Sequence, residues 1–139
     1  MNLIIKSALF SLVFLAMSVT TACQHGTGVS RNQAPIYTPE PILIPAGKSP
    51  AQVNSAIRRS LLAKQWQLLK NGNGHIEASY KKSRDWRATV DIQYDNRSIR
   101  IHYKDSEGLN YDSATGTIHK KYAETVRGLE TVMRGQIGD

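Results

Sequence analysis

Apolar and polar residues alternate in four segments between residues 66 and 103, as they do in half-buried antiparallel strands. The segments are 66–69, 76–80, 88–94 and 99–103. Short polar turns separate them, and one of these turns, Asn71-Gly72-Asn73-Gly74, is a strong hairpin signal. The pattern predicts a four-stranded antiparallel meander that is apolar on one face. The first segment is ambiguous because residues 66–69 also fit an extension of the helix before them.

A helical pattern precedes the strands and another follows them. Ser49 is placed to cap the first helix, with Pro50 at its first position and Gln52 at the capping-box position. Apolar residues then recur every four positions, and this helix is expected to end near Lys64. Thr117 is the expected cap of the second helix, whose apolar positions are Ile118, Tyr122, Val126, Leu129 and Met133. The order α-β-β-β-β-α over residues 49–137 predicts an α+β fold, a two-layer sandwich with both helices on one face of the sheet.

Residues 1–22 have the features of a secretory signal peptide. Lys6 gives a positive start, a short apolar core follows, and small residues precede residue 23. The apolar core is shorter than the roughly 20 residues that a membrane-spanning helix needs. The next residue, Cys23, is the one cysteine of the chain.

A cysteine directly after Thr21-Ala22 resembles the lipobox of bacterial lipoproteins. The resemblance implies lipidation of Cys23 through a thioether and an acylated amino terminus. Thr20 departs from the pattern, since the family prefers leucine there. The alternative is an ordinary signal peptidase site, which would leave Cys23 as a free thiol. Gln24 lacks the aspartate that resembles an inner-membrane retention signal, so the resemblance favours the outer membrane of a Gram-negative host.

Residues 23–48 are predicted to form a lipid-anchored tether. All five prolines lie between residues 35 and 50, and proline disfavours both helix and central strand. An extended chain of this composition would separate the domain from the lipid by several nanometres. The apolar island 42–44 inside it is expected to pack loosely on its own domain, with an edge strand or a docking segment as the alternative.

The charge of the chain is strongly basic, with 18 Lys and Arg against 11 Asp and Glu. Removal of the leader, which carries Lys6 alone, leaves 17 basic and 11 acidic residues, a net charge of +6. A basic exported protein suits anionic envelope components, and export excludes nucleic acid as the expected partner. Solubility near a charged surface explains the same composition.

The polar face of the predicted sheet is the candidate binding surface. It is expected to present basic residues, and the long loop 105–116 beside it contributes one aliphatic and one aromatic side chain. The residues of this surface are Arg87, Arg100, His102, Lys104, Leu109 and Tyr111. The alternative is a face that is merely solvated, as in many antiparallel sheets.

The remaining chemistry is sparse. Four oxygen-bearing side chains lie within eight residues, at Asp105, Glu107, Asn110 and Asp112, but not in the spacing of a helix–loop–helix calcium site. A solvated loop explains them equally, so no metal is predicted. The four histidines, His25, His75, His102 and His119, show no i, i+4 pair typical of helical zinc motifs. We therefore predict no cofactor and no catalytic residues, and we do not expect an enzyme.

Three segments in the second half of the domain resemble a group of small proteobacterial lipoproteins whose function is unassigned. They read ATVDIQYDN at 88–96, IHYKDSEGLNYD at 101–112 and IHKKY at 118–122. The likeness covers roughly residues 50–135 and implies a Gram-negative envelope location, with no functional residues to carry over.

The sequence as a whole predicts a non-enzymatic binding or assembly module, lipid-anchored at the outer membrane and facing the periplasm. Its expected partner is another envelope protein or an anionic envelope polymer. The alternative is a binder of lipopolysaccharide or peptidoglycan through the basic sheet face.

Overall fold

The computed structural model describes residues 30–138 and has the α+β class that the sequence predicts. Two helices, α1 (Pro50–Ala63) and α2 (Lys121–Gly138), accompany seven strands in two sheets. The predicted leader, the Cys23 lipidation site and His25 lie outside the described residues.

The main sheet has five antiparallel strands rather than the predicted four. Strands β3 (Gln67–Gly72), β4 (His75–Lys81), β5 (Arg87–Tyr94) and β6 (Ser98–Glu107) follow one another in space as in the chain. A fifth strand, β2 (Ile42–Leu43), adds to the outer edge of β6, so the order is β2-β6-β5-β4-β3. The sheet therefore has two edges, β2 on one side and β3 on the other.

Helix α1 begins as the sequence predicts. The Ser49 hydroxyl accepts the backbone N–H of Gln52 at 3.2 Å, and the Gln52 side chain accepts the backbone N–H of Ser49 at 2.8 Å. This reciprocal capping box satisfies two donors that have no partner within the helix. The predicted apolar stripe is confirmed, because Val53, Ala56, Ile57 and Leu61 are all buried.

The end of α1 settles the ambiguity at residues 66–69. The Trp66 N–H bonds back to the Leu61 carbonyl at 2.8 Å, and the Gln65 N–H bonds to the Leu62 carbonyl at 3.1 Å. These are the two hydrogen bonds of a Schellman motif, which places Gln65 in the left-handed region at φ 60°. The chain thus leaves the helix sharply, and β3 begins at Gln67.

The predicted start of α2 is wrong. Thr117 does not cap a helix, because β7 (Thr117–His119) pairs with β1 (Gln33–Pro35) in a separate two-stranded antiparallel sheet. Ile118 is buried in that strand, where it happened to continue the four-residue period of α2. The other predicted core positions of α2 are confirmed, since Tyr122, Val126, Leu129 and Met133 are all buried.

The structure also departs from the predicted tether at 23–48 and from a domain that starts at residue 49. From residue 33 onward this segment packs on the domain through β1 and β2. Ile42 pairs with Ile99, and the Ile44 N–H bonds to the Arg97 carbonyl at 2.8 Å. Ile42 is only 2% exposed. The apolar island is therefore an edge strand of the sheet, a position where flanking prolines are tolerated.

One hydrophobic core joins the sheet to both helices. It combines the buried residues of α1 and α2 with alternating positions of β4, β5 and β6 and with Ile42 and Ile44. The opposite face of the sheet carries the polar positions of the same strands.

Candidate binding surfaces

Arg87, the first residue of the predicted binding surface, is held by two carboxylates. Its Nη2 lies 3.1 Å from the Asp105 carboxylate and 2.8 Å from that of Glu107. A bulge in β6 opposite Thr89 and Val90 sets this register, because it brings Asp105 opposite Thr89 and Glu107 opposite Arg87. The charge of Arg87 is therefore matched by its own sheet.

Lys104 is paired in the same way. Its ammonium donates to the Glu77 carboxylate at 2.8 Å, and Lys70 from the neighbouring strand lies 3.2 Å from the same oxygen. The hydrogen bond from Lys104 holds the pKa of the Glu77 carboxyl below its ordinary value, against the effect of burial, and Lys70 adds to it. Glu77 is thus a buried carboxylate shared by two cations.

The remaining charged positions of this face are only partly paired. His75 contacts the Asp91 carboxylate, while Arg100 and His102 make no ion pair within the described residues. Across β3 to β6 this face holds four carboxylates, at Glu77, Asp91, Asp105 and Glu107, against five cations, at Lys70, Lys81, Arg87, Arg100 and Lys104. The predicted basic residues do lie on this face, but carboxylates of the same face pair with Lys70, Arg87 and Lys104.

Leu109 is not part of any exposed surface. It is 1% exposed, and its carbonyl accepts the His119 N–H at 2.8 Å, so the loop after β6 folds back onto β7. Tyr111 is partly exposed and stacks on Tyr103 with ring centroids 4.7 Å apart. The structure thus separates Leu109 from the surface with which the sequence grouped it.

The acidic loop holds no metal cluster within residues 30–138. Asp105 and Glu107 face Arg87, while Asp112 accepts the Ala114 N–H at 2.9 Å and the Thr115 hydroxyl at 2.8 Å. These hydrogen bonds hold the pKa of the Asp112 carboxyl below its ordinary value. The acids of this loop fix its turn and its register.

Strand β3 presents a surface that the sequence analysis did not identify. It is the free edge of the main sheet, and all six of its residues are exposed. An edge strand leaves outward-facing N–H and C=O groups without partners in its own sheet. A second bulge between Leu68 and Lys70 turns Leu69 outward, where it is exposed together with Leu68.

A groove runs between this edge and helix α1. It encloses about 450 Å³, with Ser55, Arg58, Arg59 and Leu62 on the helix side and Leu68 on the strand side. Leu62 is 79% exposed, although leucine is a residue normally buried. The sequence carried a signal for this groove, because Leu62, which lines it, lies off the apolar stripe of α1.

The opposite edge of the sheet is built differently. Strand β2 is only two residues long, and Pro41 and Pro45 lie close to its two ends. Short edge strands and prolines both prevent another strand from pairing. Leu43 on β2 is 76% exposed but lies beside no comparable groove in the described part of the chain.

Comparison with known proteins gave no match: no family model, no curated protein and no solved structure is similar to this chain. Among residues 30–138, neither helix combines the length and the apolar character required to cross a membrane.

Proposed function

We propose that this protein is a lipid-anchored component of the cell envelope whose domain is a non-enzymatic binding module for an extended segment of a partner protein. The observation that carries the proposal is the groove between α1 and the edge strand β3, with Leu62 and Leu68 exposed along it. The leader and the likeness of residues 20–23 to a lipobox support the envelope location.

The groove suits the addition of a strand. A partner segment lying along β3 would satisfy outward-facing backbone groups, and its side chains on one side would reach Leu62 and Leu68. Burial of one exposed leucine contributes roughly 1.5–3 kcal/mol, so a few such contacts are enough for a transient complex. Hydrogen bonds to the backbone of β3 would supply affinity, and contacts with the α1 side of the groove would supply selectivity for the side chains of the partner.

Charge around the groove indicates the chemistry of the partner. Arg58 and Arg59 are the charged residues that line it, and Arg59 donates to the Gln136 side chain at 2.8 Å. A segment that carries carboxylates among apolar residues would complement these guanidinium groups. A second copy of this chain is a poorer fit, because its own β3 edge offers no carboxylate to Arg58 and Arg59.

The ion pairs of the sheet face give little support to an anionic ligand there. Arg87 and Lys104 already contact carboxylates of the same face, and an incoming anion would have to displace them. We therefore prefer the groove to the sheet face as the docking surface.

Crosslinking in living cells tests the proposal. A photoreactive residue replaces Leu62 in one strain and Leu68 in another, and adducts are identified by mass spectrometry. Leu43 is the matched control, since it is a leucine of nearly the same exposure as Leu62 on the opposite edge of the sheet. We expect one discrete protein adduct from positions 62 and 68 and none from position 43.

Substitution of the exposed leucines tests which surface binds the partner. A Leu62→Ser, Leu68→Ser double variant is expected to lose the partner, whereas Leu43→Ser is expected to retain it. Equal adducts from all three positions, or adducts from position 43 alone, would overturn the groove as the docking surface. Failure of Cys23→Ser to release the protein from the membrane fraction would overturn the lipid anchor independently.

A further inference from the structure

A second concave surface lies on the other side of Trp66 from the groove. This cleft encloses about 760 Å³ between the end of α1, the start of α2 and the loop that joins β4 to β5. Its lining combines aromatic rings, basic residues, hydroxyls and two carboxylates. The proposed binding of a partner segment beside β3 does not involve this cleft.

Three aromatic residues form the apolar part of the cleft. Tyr80 lies between Trp66 and Trp86, with ring centroids 5.5 Å from each. Trp66 is 95% buried, and its indole N–H has no hydrogen-bond acceptor in the described structure. An indole N–H in such a position usually has a partner.

Lysines from three different elements surround the rings. Lys64 follows α1, Lys82 lies in the β4–β5 loop and Lys121 begins α2. None of the three makes an ion pair within residues 30–138, in contrast to the paired cations of the sheet face. The lining also holds two carboxylates, Asp85 and Glu124, so the three lysines leave the cleft with a net positive charge.

The backbone around the cleft holds these groups in place. The Lys64 side chain lies across Gly128 of α2, and a Cβ added to Gly128 would come within 3.1 Å of the Lys64 Cε. Gln65, in the left-handed conformation, also lines the cleft. A non-glycine residue at positive φ carries strain, and such strain often marks functional positions.

We propose that this cleft binds an acidic carbohydrate, a sugar ring that bears a carboxylate. Tyr80, the ring of the three that is partly exposed, offers its face to the C–H groups of a sugar, and the lysines attract the carboxylate of the sugar. The Asp85 and Glu124 carboxylates, with the Ser83 and Thr125 hydroxyls, provide hydrogen-bond partners for ring hydroxyls. Two carboxylates among the lysines would repel a bare phosphate more than a hydroxylated ring that they can bind.

The shape of the cleft distinguishes this ligand from a membrane surface. Trp66 and Trp86 are recessed, each less than a tenth exposed, whereas insertion into a bilayer requires protruding apolar side chains. A discrete sugar fits a concave site. In an envelope, such sugars occur in peptidoglycan, as muramic acid, and in lipopolysaccharide, as octulosonic acid.

Intrinsic fluorescence offers a direct test, because the two tryptophans of the chain both line the cleft. The full chain, purified in detergent, is titrated with N-acetylglucosaminyl-N-acetylmuramic acid, with a deacylated lipopolysaccharide core containing octulosonic acid, and with neutral diacetylchitobiose. We expect a saturable change with at least one acidic sugar and a much weaker response to the neutral disaccharide. The acidic probe that responds identifies the source of the sugar.

A charge reversal locates the site. Lys82→Glu is expected to weaken binding by about tenfold, because it removes an attraction and adds a repulsion close to the carboxylate. Arg100→Glu makes the same change in net charge on the exposed sheet face and is expected to alter binding by less than about twofold. Both positions are exposed, so both variants are expected to fold, which circular dichroism checks.

Three results would overturn the proposal. They are no response to either acidic sugar, an equal response to the neutral disaccharide, and loss of binding in Arg100→Glu but not in Lys82→Glu. These results are independent of the partner adducts expected from Leu62 and Leu68, so either proposal can fail without the other.

Discussion

The Tyr37 hydroxyl donates a 2.6 Å hydrogen bond to the Glu130 carboxylate, joining residues 93 positions apart. The Arg127 guanidinium lies 4.4 Å from the centre of the Tyr37 ring, and Arg134 donates both to Glu130 and to the Glu40 carbonyl. This network fastens the chain between β1 and β2 onto α2.

The network predicts a pH-dependent contribution to stability. Partial burial raises the pKa of the Glu130 carboxyl, but the hydrogen bonds from Tyr37 and Arg134 outweigh it and leave that pKa below its ordinary value. The stabilisation is therefore complete above the unfolded pKa of about 4.3 and is lost as the pH falls through the lower folded pKa. Glu130→Gln is expected to lower the free energy of unfolding by about 1–2 kcal/mol at pH 7. Urea denaturation at several pH values measures the difference.

The difference between the wild type and Glu130→Gln should shrink as the pH falls below the unfolded pKa of about 4.3 and through the lower folded pKa, where the wild-type carboxylate also becomes neutral. Tyr37→Phe, which removes the donor and keeps the ring over Arg127, should destabilise in the same direction. A difference that stays constant from pH 7 to pH 3 would contradict the role given to the charge.

Adjacent residues of β2 test whether the segment before α1 belongs to the domain. Ile42 is buried against the sheet, so Ile42→Ala is expected to cost about 2–4 kcal/mol of unfolding free energy. Leu43 points outward at 76% exposure, and Leu43→Ala is expected to cost less than about 0.5 kcal/mol. Thermal unfolding of the two variants makes the comparison, and equal effects would mean that β2 does not pack as described.

Two glycines with nearly the same backbone conformation differ in what surrounds them. A Cβ on Gly108, at φ +66°, would lie 1.9 Å from the Asp85 carbonyl oxygen, while nothing lies within 4 Å of a Cβ on Gly116, at φ +64°. Gly116→Ala is expected to cost about 1 kcal/mol from conformational strain alone. Gly108→Ala is expected to cost more than about 3 kcal/mol, because the backbone at Asp85 must also move. Equal losses of stability in the two variants, measured by chemical denaturation, would argue against close packing of Gly108 on the backbone of Asp85.

Gln65 predicts a gain in stability. Glycine at this position of the Schellman motif removes the strain of a positive φ, so Gln65→Gly is expected to stabilise the domain by about 0.5–1 kcal/mol. Gln65→Ala keeps the strain and is expected to change stability little. If Gln65 also contributes to the sugar site, Gln65→Gly should weaken the fluorescence response while it raises the midpoint of denaturation. A loss of stability in Gln65→Gly would contradict the strain argument.

Local signals in the sequence predicted the parts of the fold that local interactions decide. The capping box at Ser49, the stripe of α1 and the alternation of the meander all depend on neighbours in the chain. Thr117 and Ile42 were assigned incorrectly because each pairs with a strand distant in sequence. The prolines around Ile42 favour a tether when only the composition is considered, although edge strands tolerate prolines equally.

The binding surfaces were less predictable for a similar reason. Alternation placed Arg87 and Lys104 on the correct face, but their carboxylate partners depend on cross-strand register and on the bulge in β6. The cleft depends on Trp66, Trp86 and Lys121, which come from three separate elements. The spacing of residues along one helix or strand does not indicate which residues of other elements they will contact.

The pairing of β1 with β7 limits how far the domain can travel from its anchor. With the lipid on Cys23, as we propose, the tether between the lipid and the domain ends at Gln33 rather than at residue 48. The ten Cα–Cα steps between these two residues span at most about 35 Å when fully extended. The domain therefore stays close to the bilayer surface. Its partner must present the docking segment within that short distance of the membrane.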